Sequence, residues 1–229
     1  MTMVRCFETD DYHPAYGMLL LADTNQAWDP TEDPPLPHHR DRGDMPTGSF
    51  AGTGAGWLSA QAPDLGDHTV RLELHDTPPP PDPVVFEDVV EAPFRSSSGE
   101  LTLTDVTGGY GEADLELGDT EWFRVRVARR SAGDDFSWLI RFWPDPLGEP
   151  PTWLARGPET GEHAQEVAED VEALLRWIPG LPLETSVDDL SHRLLVSTTT
   201  VRAALEAAET KGLLHIVTTD PLRLTVGRT

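Results

Sequence analysis

A chain of 229 residues has room for two modest domains or one large β domain, and 38% hydrophobic residues with seven tryptophans suffice for packed cores. Seventeen basic residues stand against 40 acidic ones, a net charge of −23, which opposes general polyanion binding and suits a basic partner. A single cysteine, Cys6, excludes an intrachain disulfide framework and a multi-cysteine zinc site and matches a reducing compartment.

The opening MTMVRCFETDDYH has no apolar h-region, and the longest apolar run, Gly17 to Ala22, is far too short for a bilayer span. A soluble, cytoplasmic bacterial protein with no membrane partner is expected. Short apolar or period-two segments then follow at 16–22, 57–60, 69–74, 84–92, 100–104, 113–117, 122–127 and 136–142, bounded by Gly, Pro, Asp and Ser clusters. Short strands with no helix between them predict an antiparallel β-sandwich over 1–143. The stretch 25–56 reads as a long Pro-, Asp- and Gly-rich loop. Its His38-His39-Arg40-Asp41-Arg42-Gly43-Asp44 run gathers metal-compatible side chains, but adjacent loop residues rarely converge on one ion, so a solvated loop is the reading and no metal is assigned.

Catalytic signatures are missing. The chain has no G-x-S-x-G elbow, and Gly52-Thr53-Gly54-Ala55-Gly56 lacks the Lys and following helix of a phosphate loop. No enzyme activity and no cofactor are expected. The last two predicted strands interleave Trp122, Phe123, Trp138, Phe142 and Trp143 with Arg124, Arg126, Arg129, Arg130 and Arg141. Such a pattern is first an amphipathic strand pair with aromatics inward and arginines outward. As the one basic cluster in the acidic part, it also makes Arg124, Arg126 and Arg141 candidate partner-binding residues.

Within this β part, Tyr16-Gly17, Trp57-Leu58-Ser59-Ala60, HTVRLELHDTPP, VVFEDVVEAPFRSSSGELTLTDV and DLELGDTEWFRVRV resemble the competence protein J family over residues 12–143. The resemblance implies a protein-binding, nuclease-inhibitor-like domain without catalysis. No short motif carries inhibitory contacts across.

Residues 144–158, with five prolines, read as a linker between the sandwich and a second domain at 159–229. A helix is predicted over 162–178. Val167, Val171, Leu174, Leu175 and Ile178 form its apolar stripe, and Glu162, Glu166, Glu169, Asp170 and Glu172 its solvated face. Ser186 then caps a short helix with Asp188 and Asp189 in its first turn and Val187, Leu190, Leu194 and Leu195 on one stripe. Ser197 caps a second, with Val201, Ala204, Leu205 and Ala208 buried, Lys211 in the last turn and Gly212 as the stop. Leu214, Ile216, Leu222, Leu224 and Val226 alternate around a turn at Thr219-Asp220-Pro221, predicting a terminal hairpin.

Helix, turn, helix and hairpin resemble a winged helix-turn-helix, and STTTVRAALEAAETKGLL is similar to the second-helix pattern of GntR-like bacterial transcription regulators. The resemblance implies an α+β, two-domain protein and places Ser197, Thr198, Thr199, Thr200, Arg202, Ala203 and Glu206 at a major groove, with Arg223 on the wing as a further DNA contact. Charge weighs against it. Residues 1–158 carry a net −17, and 181–229 hold five basic and six acidic residues. Two functions therefore stand at this level. One is a non-enzymatic DNA-associated regulator binding double-stranded DNA through the winged helix, with the sandwich as a partner- or ligand-binding domain. The other is a protein-interaction or nuclease-inhibitor/immunity-type protein whose winged helix docks or dimerises and whose acidic sandwich takes a basic protein. A homodimer is compatible with either.

Overall fold

The structure is a computed structural model, and its described residues are 2–24, 49–54, 56–82, 84–104, 113–146, 149–158, 160, 164–176 and 183–226. Eleven strands come first: β1 (Met3–Tyr12), β2 (Met18–Asp23), β3 (Ala51–Gly54), β4 (Trp57–Gln61), β5 (His68–His75), β6 (Asp88–Arg95), β7 (Glu100–Thr104), β8 (Leu115–Glu116), β9 (Trp122–Ala132), β10 (Asp135–Pro144) and β11 (Thr152–Ala155). Then follow α1 (Ala164–Arg176), β12 (Leu183–Thr185), α2 (Val187–Leu194), α3 (Thr198–Thr210), β13 (Leu214–Thr219) and β14 (Leu222–Val226). The fold is α+β and strand-rich.

Among the described residues the strands make three sheets, ordered β1-β5-β10-β9-β6-β11, β3-β4-β2-β7-β8 and β12-β14-β13. Leu19, Leu21 and Leu58 from the second sheet join Leu72, Phe94, Phe123, Ile140 and Phe142 from the first in one apolar core. That core continues through Trp153 and Val167 to Leu190, Val201 and Leu224, so the helices share it rather than owning a separate one.

Several expectations need correcting. The large sheet is not wholly antiparallel, because β5 and β10 run parallel in the register Phe136↔His68 to Phe142↔Leu74. Period-two alternation has the same appearance in either direction, and only the long crossover from β5 to β10 separates the two. β11 pairs with β6 inside the stretch that reads as linker, with Trp153 buried. β1 is a long edge strand that reads as polar because most of it is exposed, and Arg5–Glu116 and Arg71–Glu8 ion pairs flank it. β3 lies inside the predicted long loop. Its residues are small because β4 approaches closely, and a Cβ on Gly54 would fall 2.2 Å from the Trp57 indole. The rest of that loop, including His38 to Asp44, lies outside the described residues.

The helical caps form as read. Ser186 Oγ accepts from Asp189 N and Ser197 Oγ from Thr200 N, each at 3.0 Å, and Gly212 takes the left-handed φ of 74°. Leu195 departs from the expected stripe. It ends α2 in a left-handed conformation and is exposed, while Leu190 and Leu194 are buried.

Candidate functional site

α3 holds its outward face away from the rest of the chain. Val201, Ala204, Leu205 and Ala208 are buried, whereas Ser197, Thr198, Thr199, Arg202, Ala203 and Glu206 are exposed and Thr200 is half-buried, so these candidate contacts share one solvent-facing strip. The strip carries little positive charge. Ser197 and Thr200 spend their hydroxyls on each other at 2.8 Å, and Arg202 faces solvent near Glu206 and Glu209, one and two turns on. Arg223, the expected wing residue, lies in β14 and donates to Glu184 of β12 at 2.7 and 3.0 Å.

Arg124, Arg126 and Arg141 lie on the face of the large sheet turned away from the Phe123, Val125, Val127, Ile140 and Phe142 core, as alternation predicts, but that face is covered, whereas Arg95 and Arg130 of the same sheet are exposed. Cross-strand register lines up Glu73, Arg141, Arg126 and Glu91 across β5, β10, β9 and β6 on one face. Arg126 Nε donates to Glu91 at 2.7 Å, and Arg141 pairs with Asp82. Arg126 and Arg141 also donate to the Pro80 carbonyl, so the 78–82 segment covers them. Arg124 donates to the carbonyls of Glu149 and Pro150. Burial pulls the Arg124 and Arg141 pKa down, opposed by Glu91 and Asp82 respectively. Candidate partner residues Arg124, Arg126 and Arg141 are thus buried and engaged within their own chain. Alternation places these three on the correct face; what it does not show is that segments 78–82 and 149–150 and paired carboxylates bury that face.

A third polar assembly joins the sheets to the helices. Asp170 of α1 accepts Ser49 N and Oγ at 2.8 Å each and Arg156 Nη2 at 2.6 Å. Arg156 continues to the Leu194 carbonyl at the end of α2 at 2.7 Å and lies 4.0 Å over the Trp153 ring. Beside it, Asp88 of β6 accepts from Arg129, Thr160 Oγ1 and Gly157 N at 2.6, 2.6 and 2.9 Å. Burial pushes the Asp170 carboxyl up, and Arg156 and the Ser49 donors oppose it. The sequence reading put Asp170 on a solvated face and missed this seam. A signal was available: Asp170 stands three after Val167 and four before Leu174, inside the buried stripe. The cleft at the seam, lined by Thr53, Val90, Trp153, Asp170, Ala173 and Leu194, has about 20 Å³ of free space, enough for a water.

These features define a strand-rich α+β protein with Arg124, Arg126 and Arg141 buried under its own covering segments and its helices tied to the large sheet by buried charge. No known family matches the chain, and no characterised protein matches it by sequence. Two solved structures are similar in backbone. One is ComJ from Bacillus subtilis, described as the inhibitor of the DNA degrading activity of NucA, at 13% identity over 63% of this chain and 98% of that chain, TM-score 0.42. The other, described as crocagin biosynthetic gene J, has 15% identity over 62% and 97%, TM-score 0.43. No residue role passes across at that distance.

Proposed function

We propose that this chain is a non-enzymatic, acidic protein-interaction module that captures a basic protein partner, with the C-terminal helices as a docking or dimerisation element rather than a DNA reader. The observation that carries this reading is where the cations go. Arg223 is held by Glu184, and Arg193 donates to Thr152 of β11 at 2.9 Å. On the outward face of α3, Arg202 is left among acids in a chain of net charge −23. Phosphate neutralisation supplies most of the affinity of DNA-binding proteins, and this unit has little to offer for it.

A nuclease-inhibitor form of the reading is tested with NucA, the enzyme whose activity ComJ inhibits. Stoichiometric loss of NucA's DNA degradation, relieved by salt, supports it. Undiminished activity at a tenfold molar excess removes that form.

One observation favours a second reading. The order α1-β12-α2-α3-β13-β14 with sheet order β12-β14-β13 fits a winged helix-turn-helix, and the outward strip of α3 is open. On that reading Thr198, Thr199, Arg202, Ala203 and Glu206 face a groove, and Arg202→Ala lowers duplex affinity by about 1–3 kcal/mol.

A further inference from the structure

Three turns meet at one end of the large sheets. The turn before β2 is tied to the β4–β5 turn, since Gly17 N donates to Asp64 and Ala62 N donates to the Gly17 carbonyl at 2.9 Å. The β4–β5 turn is tied to the β9–β10 hairpin, since Phe136 N donates to the Asp67 carbonyl at 2.8 Å and Gly66 abuts the Asp134 carbonyl too closely for any Cβ. Below them lies an aromatic shelf. His68 is fully buried, stacks on Phe136 at 5.0 Å, and its Nδ1 accepts the Trp138 indole N–H at 3.0 Å. Trp138 in turn stacks on Phe50 at 6.0 Å.

Two large apolar side chains stand out from this rigid base. Tyr16 is 62% exposed and Leu65 82% exposed, on adjoining turns. Tyr16 also holds φ at 56°, a left-handed conformation that glycine adopts without strain and tyrosine does not. A solvent-facing tyrosine kept in that conformation does nothing for packing. Around the pair stand the exposed carboxylates of Asp11, Asp64, Asp67, Asp134 and Asp135, with His13 beside Asp11 at 3.3 Å and exposed Arg130 on β9 as the nearby basic groups.

We infer that this tip is the docking knob for the basic partner: Tyr16 and Leu65 enter an apolar recess, and the acidic collar meets a cationic rim. The inference rests on the basic-partner reading above and deepens it by naming the surface. Charge complementarity identifies the occupant, because a collar of five carboxylates repels nucleic acid and acidic proteins alike. Rigid turns on an aromatic shelf cost little ordering on binding, which suits an anchor side chain.

The test is an NMR titration of the full 15N-labelled chain with a five-residue lysine–tryptophan peptide, with pentalysine as control. The expected result is amide shifts concentrated in 13–17, 62–67 and 132–136, with affinity weakened by salt and pentalysine binding more weakly. Tyr16→Gly combined with Leu65→Ser weakens the peptide about tenfold or more. Both sites are exposed, and a glycine in place of Tyr16 accepts the left-handed φ, so unchanged circular dichroism separates lost binding from lost folding. Shifts centred elsewhere on the acidic surface, equal binding of pentalysine, or an unaffected double variant overturn the knob while leaving the basic-partner reading standing. Failure of the peptide to bind at all, with duplex DNA shifting the α3 amides instead, overturns both.

Discussion

Replacing Asp170 by alanine tests the seam between sheets and helices. The substitution leaves the Arg156 guanidinium, whose side chain is 3% exposed, without its carboxylate partner, and strips both Ser49 donors of their acceptor. Breaking one side of a buried pair costs about 3–5 kcal/mol, and an orphaned buried N–H costs about 1–3 kcal/mol, two overlapping terms that do not simply add. Taking about 3–5 kcal/mol and roughly 2–4 °C per kcal/mol for a chain of this size, the melting temperature falls by about 6–20 °C. Thermal and urea unfolding followed by circular dichroism and tryptophan fluorescence are the assay. Because Arg156 also reaches the α2 carbonyl of Leu194, the variant is expected to melt the helices before the sheets, splitting one transition into two. The double change Arg156→Met with Asp170→Leu removes the uncompensated charge and recovers at least half of the loss. A single-site loss below about 1 kcal/mol would refute the reasoning, since it would mean that water reaches the pair.

Glu169 gives a pH effect of opposite sign to that of an ordinary paired carboxylate. Burial lifts its pKa to about 7, with Lys211 pulling it down and Asp170, Glu172 and Glu166 pushing it up. The folded state then binds this proton more tightly than the unfolded one, so its contribution falls as pH rises from about 4.5 to 7. Glu169→Gln is expected to stabilise the chain by about 1–2 kcal/mol at pH 8 and by little at pH 5, read as urea midpoints; equal effects at both pH values contradict it. His68 acts the other way. Burial lowers its pKa, so the contribution of neutral His68 is complete above about pH 6.5 and is lost as pH falls below that; a tryptophan signal from the Trp138 environment that is unchanged down to pH 4 would count against it. Gly54→Ala drives a Cβ into the Trp57 indole and should cost about 1–3 kcal/mol, whereas an unchanged melting curve would show that β3 moves away freely.

Much of the architecture is legible in the chain. Eight strands, the α1 stripe of Val167, Val171, Leu174 and Leu175, both serine caps and the glycine stop follow from periodicity and capping chemistry, which are local and strong; Glu162 and Ile178, expected at the ends of that helix, lie outside the described residues. What escapes has a physical cause in each case. β1 is an exposed edge, so it lacks the apolar alternation of a half-buried strand. β3 is small because Trp57 presses on it, and that contact is invisible before the fold is known. The parallel β5–β10 pair depends on a crossover rather than on a pattern. For the surfaces, the α3 strip is legible because a helix of known phase exposes a known face. The arginine row is not, since its burial depends on Glu73, Asp82 and Glu91, which are brought together by register and by the covering proline segment. Tyr16 and Leu65 escape because a lone exposed apolar residue in a turn has no periodic signature, and only the joining of separate turns sets them side by side.

Fluorescence anisotropy of a labelled double-stranded DNA, titrated with the full chain at several salt concentrations, tests the central claim most directly. With Arg124, Arg126, Arg141, Arg156 and Arg223 engaged by its own carboxylates and carbonyls and a net charge of −23, the protein is expected to leave the DNA free even at low salt. Binding tighter than about 10 μM that weakens steeply with salt and is lost in Arg202→Ala would contradict the account and return α3 to a groove-reading role.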